Sequence, residues 1–186
     1  GSVRVPSGTA LELAQSTGSP QKLAKVQLSS CEVSARAGGT QALESCKRAL
    51  QTFDKLGMPL LRARTNSAIG RNLYKQNALS EARKYFIDAL RIRDEEVHPE
   101  LVDDRARARD LGNLCQIEMR EEITGAFHRC NETLDLLDEA SFEHPRMRAT
   151  SHYAAGVAAA REGHIEESLA HLDDALEGYE GLESFD

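Results

Sequence analysis

Residue types that can bind a metal or attack a substrate are few in this chain, and their spacing decides what they can do. There are six histidines and four cysteines. The cysteines are Cys31, Cys46, Cys115 and Cys130. None forms a CxxC, and a zinc site needs short paired spacings of that kind. Each cysteine falls on the apolar face of an expected helix, where a free thiol acts as a small hydrophobe. That reading goes with a reducing, cytoplasmic setting. Among the histidines, His98 and His144 stand beside turn prolines. His164 and His171 are two helical turns apart, about 10 Å at roughly 1.5 Å per residue. That is too far to share one ion at about 2 Å per bond. No ligand set is read around His128 or His152. There is no Gly-rich phosphate loop, no HExxH and no GxSxG. The expectation is no metal, no cofactor and no enzymatic activity, with function carried by the surface.

Charge divides that surface. From Pro59 to Lys75 the chain carries Arg62, Arg64, Arg71 and Lys75 and no acid. From Ile165 onward it carries Glu166, Glu167, Asp173, Asp174, Glu177 and Glu180 and no Lys or Arg. The formal net charge of −7 excludes a general nucleic-acid binder, which needs clustered cations to follow phosphates. No stretch approaches the roughly 18 apolar residues of a membrane span, so no membrane insertion is expected.

The elements that must position these charges are helical. In Asn66 to Arg91, Ile69 and Leu73 recur at i, i+4 with Gly70 beside them. After a polar break at Gln76 to Ser80, Ala82, Phe86, Ala89 and Leu90 recur at i, i+4, i+7, i+8, one face of a helix. Small residues stand where two helices approach, and Phe86 fills the gap between them, giving an antiparallel helical hairpin. The pattern repeats. Pro20, Pro59, Pro99 and Pro145 are followed by similar stretches at a period of about 40 residues. Each proline reads as a helix start, because a first-turn N–H has no intrahelical partner. The small residue of the first helix recurs as Ser30, Gly70, Gly112 and Gly156. The pair on the second helix recurs as Ala42/Ala49, Ala82/Ala89, Ala126/Thr133 and Ser168/Ala175, with Cys46, Phe86, Cys130 or Leu172 between. The third repeat fits with about two residues inserted near Glu121 to Thr124. Its break lacks Gly and Pro, and its second helix is expected to start at Thr124 or Gly125. Val33, Leu101, Ile165, Leu169 and Leu176 are expected on inward faces.

This order of small and large residues resembles the tetratricopeptide repeat (TPR) over about Pro20 to Tyr179, with Asn66 where that family often has Trp. The long period and the His-Pro pairs His98-Pro99 and His144-Pro145 are similar to those of kinesin light chains. The resemblance implies an all-α, right-handed superhelical solenoid of about four hairpins. Residues 1–7 are assigned to a tag remnant and disordered leader, and 8–186 to a single solenoid domain cut from a longer array. Within it lie a partial helix at 8–17 and repeats at about 20–57, 59–97, 99–140 and 145–180. In TPR arrays the first helix of each hairpin lines the concave side. Carried onto this chain, that makes Arg64, Ser67, Arg71, Tyr74, Lys75, Arg109, Asn113, Gln116 and Tyr153 candidate peptide-binding residues. Arg grips carboxylates through parallel hydrogen bonds, Asn bonds an extended backbone and Tyr offers an apolar body with a polar tip. The implied function is a non-enzymatic adaptor or scaffold holding an acidic peptide or extended segment. Two other readings are a sensor domain controlling an attached effector module, and a self-assembling scaffold in which the acidic last helix meets the basic helix of another copy. The sequence specifies no oligomeric state.

Overall fold

The computed structural model describes residues 19–37, 40–139 and 144–183, with side chains outside 34–42 and 183. The leader, the expected helix at 8–17 and the Gly38-Gly39 break lie outside these residues. The described residues form α-helices and no strand: α1 Pro20–Ala37, α2 Thr40–Lys55, α3 Pro59–Lys75, α4 Leu79–Glu95, α5 Asp104–Arg120, α6 Ala126–Glu139, α7 Pro145–Glu162 and α8 Ile165–Glu183.

Three of the four prolines open α-helices as expected, namely Pro20, Pro59 and Pro145. Pro99 does not. It opens a single 3-10 turn, Pro99–Leu101, and Leu101 is exposed rather than inward. The helix that follows starts at Asp104, because the Asp103 side chain accepts a hydrogen bond from the Ala106 amide at 3.2 Å. That satisfies a first-turn donor which the helix itself leaves unpaired.

The ends are equally local. Gly57, Asn77, Glu122 and Gly163 take left-handed backbone, with φ of 60°, 61°, 55° and 88°. The next residue then donates back across the last turn: Met58 to the Phe53 carbonyl, Ala78 to Leu73, Ile123 to Glu118 and His164 to Ala159, at 2.9–3.0 Å. This is the Schellman closure of a helix. In the third repeat it is made by a glutamate, at a cost of roughly 1–2 kcal/mol, so no glycine marks the break. The following helix, α6, starts at Ala126. Glu162 of α7 accepts hydrogen bonds from the Gly125 and Phe127 amides at 3.1 and 3.3 Å, a cap lent by the next hairpin.

The chain forms two compact units, one ending at Leu101 and the other beginning at Val102. In the first, α1 packs on α2, α2 on α3, α3 on α4, and α1 on α3. In the second, α5, α6, α7 and α8 repeat the same scheme. Each unit therefore contains two hairpins whose first helices stack on one another.

The crossing inside each hairpin corrects the expected register. Cys31, Gly70, Cys115 and Gly156 stand at the same offset from helix starts at Pro20, Pro59, Asp104 and Pro145. They replace Ser30 and Gly112 in the alignment. Facing them are Cys46, Phe86, Cys130 and Leu172. A Cβ on Gly70 would lie 2.9 Å from Phe86 Cε1, and one on Gly156 would lie 2.7 Å from Leu172 Cγ. Gly112 has no such neighbour; its Cβ would meet Thr133 Cγ2 at an ordinary 3.5 Å.

The other two crossings are covalent. Cys31 is bonded to Cys46 and Cys115 to Cys130, with Cα–Cα distances of 5.3 and 4.9 Å. The expectation of free buried thiols is therefore wrong, and the ground for a reducing compartment goes with it. Each cysteine faces another across a hairpin, a pairing that zinc-type spacings do not reveal. The side chains closed off from solvent include Phe53, Phe86, Ile69, Ile92, Leu114 and Ile117. Val33, Ile165, Leu169 and Leu176 are exposed, contrary to their assignment to inner faces.

Candidate functional site

On α3 the absence of acids does not leave the cations unmatched. Arg64 Nε and Nη2 donate to both carboxylate oxygens of Glu32 on α1, at 2.6 and 2.8 Å. Arg62 meets Glu96 at 2.6 Å and Asp54 at 3.1 Å. The acids come from α1, from α2 and from the residue that caps α4, so the sequence of α3 alone does not reveal them. Such solvent-facing pairs contribute about 0–1 kcal/mol. Glu32 is half-buried and held by both nitrogens, so a carboxylate from elsewhere would compete with a well-formed pair at Arg64.

Ser67 leaves the candidate surface. It is 1% exposed. Its Oγ donates to the Ala63 carbonyl at 3.0 Å and accepts from Arg93 Nη2 at 2.9 Å. Arg93 is itself buried in α4. Arg71 and Tyr74 are half-buried and Lys75 is exposed. Arg64, Arg71, Tyr74 and Lys75 thus share α3 in the first unit. The remaining candidates belong to the second unit. Arg109 is exposed, and Gln116 is half-buried on the same helix. Asn113 spends an amide donor on the Arg109 carbonyl at 2.7 Å. Tyr153, on α7, is 48% exposed.

A second cluster arises where no ligand set was expected. His152 of α7 has its Nδ1 3.1 Å from His171 Nδ1 and 3.4 Å from Asp174 Oδ2, both on α8. Burial is the main force that lowers the pKa of His152 below its ordinary 6.5; Asp174 opposes the shift, while His171 and Arg148 add to it. The His171 ring is met edge-on by Phe127, at 5.8 Å between centroids. A cavity of about 490 Å³ opens beside the cluster, lined by His152, Asp174, Arg148 and Glu177 among others. Its members come from two helices, so no spacing along a single helix reveals it.

No protein-family model matches the sequence, and comparison with curated proteins gives no match. Solved structures do match in fold. BtubC (BKLC) from P. vanneervenii superposes with a TM-score of 0.76 at 15% identity, covering 95% of this chain and 72% of that one. A putative kinesin light chain with nearly identical TPR-like repeats, from Podosopora anserina, gives 0.58 at 15% identity, covering 95% and 97%. A variant of that protein gives 0.59 at 14% identity, covering 96% and 85%. The fold is a TPR-like helical-repeat solenoid. At these identities the likeness concerns the fold and not the activity. Among the described residues no helix is long and apolar enough to cross a membrane.

Proposed function

We propose that this protein is a non-enzymatic interaction scaffold that holds an acidic, extended segment of a partner protein along α3, the first helix of a hairpin in its first unit. Arg64, Arg71, Tyr74 and Lys75 supply the contacts on α3. In the second unit, taken by itself, Arg109, Asn113 and Gln116 on α5 and Tyr153 on α7 offer contacts of the same kind. One observation carries the reading: Arg64 already grips a carboxylate with both arms of its guanidinium, on a helix without an acid of its own. Glu32 stands where a partner's carboxylate would exchange in, and the bidentate fork suits that group better than a point charge would.

The test is anisotropy of a labelled oligo-glutamate peptide, titrated with the wild type and with an Arg64→Glu/Arg71→Glu variant. The variant should bind on the order of tenfold more weakly, and wild-type affinity should fall with salt. Equal affinity in both proteins would remove recognition from α3. The same pair of proteins, used as baits in a native lysate and read by mass spectrometry, identifies the partner as the protein lost only from the variant.

A further inference from the structure

We propose that His152, His171 and Asp174 form a site for one divalent transition-metal ion of the zinc class, joining α7 to α8. The argument starts from distance. One ligand atom from each residue lies within 4.8 Å of the other two. The closest pairs are His152 Nδ1 to His171 Nδ1 at 3.1 Å and His152 Nδ1 to Asp174 Oδ2 at 3.4 Å. Two atoms each about 2.0–2.2 Å from a common ion, at tetrahedral angles, are roughly 3.3–3.6 Å apart. The 3.4 Å spacing is that of neighbouring ligands on one centre, and the 3.1 Å spacing needs only a somewhat narrower angle at the ion.

The donor set selects the ion. Two imidazole nitrogens and a carboxylate suit zinc and its neighbours, whereas magnesium and calcium call for oxygen alone. All four cysteines are held in disulfides, so no thiolate competes for the ion. Without a metal, two facing Nδ1 atoms can share only one proton, and a proton on His152 Nδ1 that is given to His171 is not fully available to Asp174. A metal satisfies all three lone pairs together. The wall behind the site is formed in part by Phe127, whose ring fixes the His171 plane from the edge. On the other side, His152 and Asp174 face the cavity of about 490 Å³. A fourth ligand, water or an anionic group, would enter there. With three protein ligands drawn from two helices, the ion would act as a clamp on the last hairpin.

The experiment is calorimetric titration of the oxidised full chain with Zn²⁺ alone, repeated with His152→Gln, Asp174→Asn and His128→Gln, and followed by thermal melts with and without the ion. Asp174 is the most exposed of the three ligands, so Asp174→Asn tests binding even if His152→Gln fails to fold. One Zn²⁺ per wild-type chain, a higher melting temperature with the ion, affinity lower by about tenfold or more in both ligand variants and an unchanged His128→Gln support the site. Absence of binding by the wild type, or equal affinity in wild type and Asp174→Asn, overturns it. So does loss of binding in His128→Gln.

Discussion

Within each compact unit the two hairpins solve one geometric problem in opposite ways. In α1–α2 and α5–α6 the crossing is closed by a bond between two small residues. In α3–α4 and α7–α8 one helix gives up its side chain entirely, and a large residue from the other fills the space over glycine. The first solution is indifferent to side-chain volume but depends on oxidation. The second is indifferent to oxidation, and a single methyl group disturbs it. The same backbone approach is thus secured either by restricting the unfolded chain or by dense packing of the folded one.

The comparison can be broken most forcefully at Phe86, which is fully buried. Phe86→Ala should cost about 3–5 kcal/mol through the cavity it leaves, measured by urea denaturation. A loss under about 1 kcal/mol would mean that the ring does not hold the crossing.

The stapled crossing should respond next. Each disulfide spans a separation of 15 residues, and closing a loop of that size is worth about 3 kcal/mol. Cys31→Ala with Cys46→Ala should lose about that much. Cys31→Gly with Cys46→Phe, which copies the α3–α4 arrangement, should recover part of it and lose sensitivity of that hairpin to reductant. If dithiothreitol leaves the wild-type melt unchanged, the bonds contribute nothing and the distinction between the two kinds of hairpin falls.

The finest test separates three glycines. Gly156→Ala forces a Cβ to within 2.7 Å of Leu172 and 3.1 Å of the Ser168 carbonyl, and Gly70→Ala presses on the Phe86 ring. Each should cost about 1–3 kcal/mol. Gly112→Ala meets only ordinary contacts and should gain about 0.5–1 kcal/mol from helix propensity. The same melts check all three. A destabilised Gly112→Ala would return that residue to the crossing and restore the register expected from sequence.

The hairpins were readable because period, proline and the Gly70/Phe86 complementarity each act within a few residues of one another. Register in the third repeat was not. Gly112 is the smallest residue nearby and draws the alignment, while Cys115 is just as able to fit the crossing and shows it only through its partner. The equal spacing of Cys31–Cys46 and Cys115–Cys130 was present in the sequence as a signal, since two pairs with one separation at one place in a repeat are unlike scattered thiols. The histidine cluster becomes legible only after the crossing is fixed. With Gly156 opposite Leu172, antiparallel helices bring His152 alongside Asp174. On α3 the basic residues were visible, but the matching acids Glu32, Asp54 and Glu96 lie on α1, on α2 and just past the end of α4. Ser67 was misread because a serine in a polar stretch looks exposed until a buried arginine is found reaching for it.

The bond between Cys115 and Cys130 also sets what happens when the chain is cut. The turn at 121–125 lies between them, and Glu122 and Thr124 within it are exposed. A protease that severs this turn separates the backbone into two pieces but not the molecule, because the fragments stay tied through sulfur beneath the nick. The turn can therefore be opened, or given a foreign insertion, while the two helices keep their place.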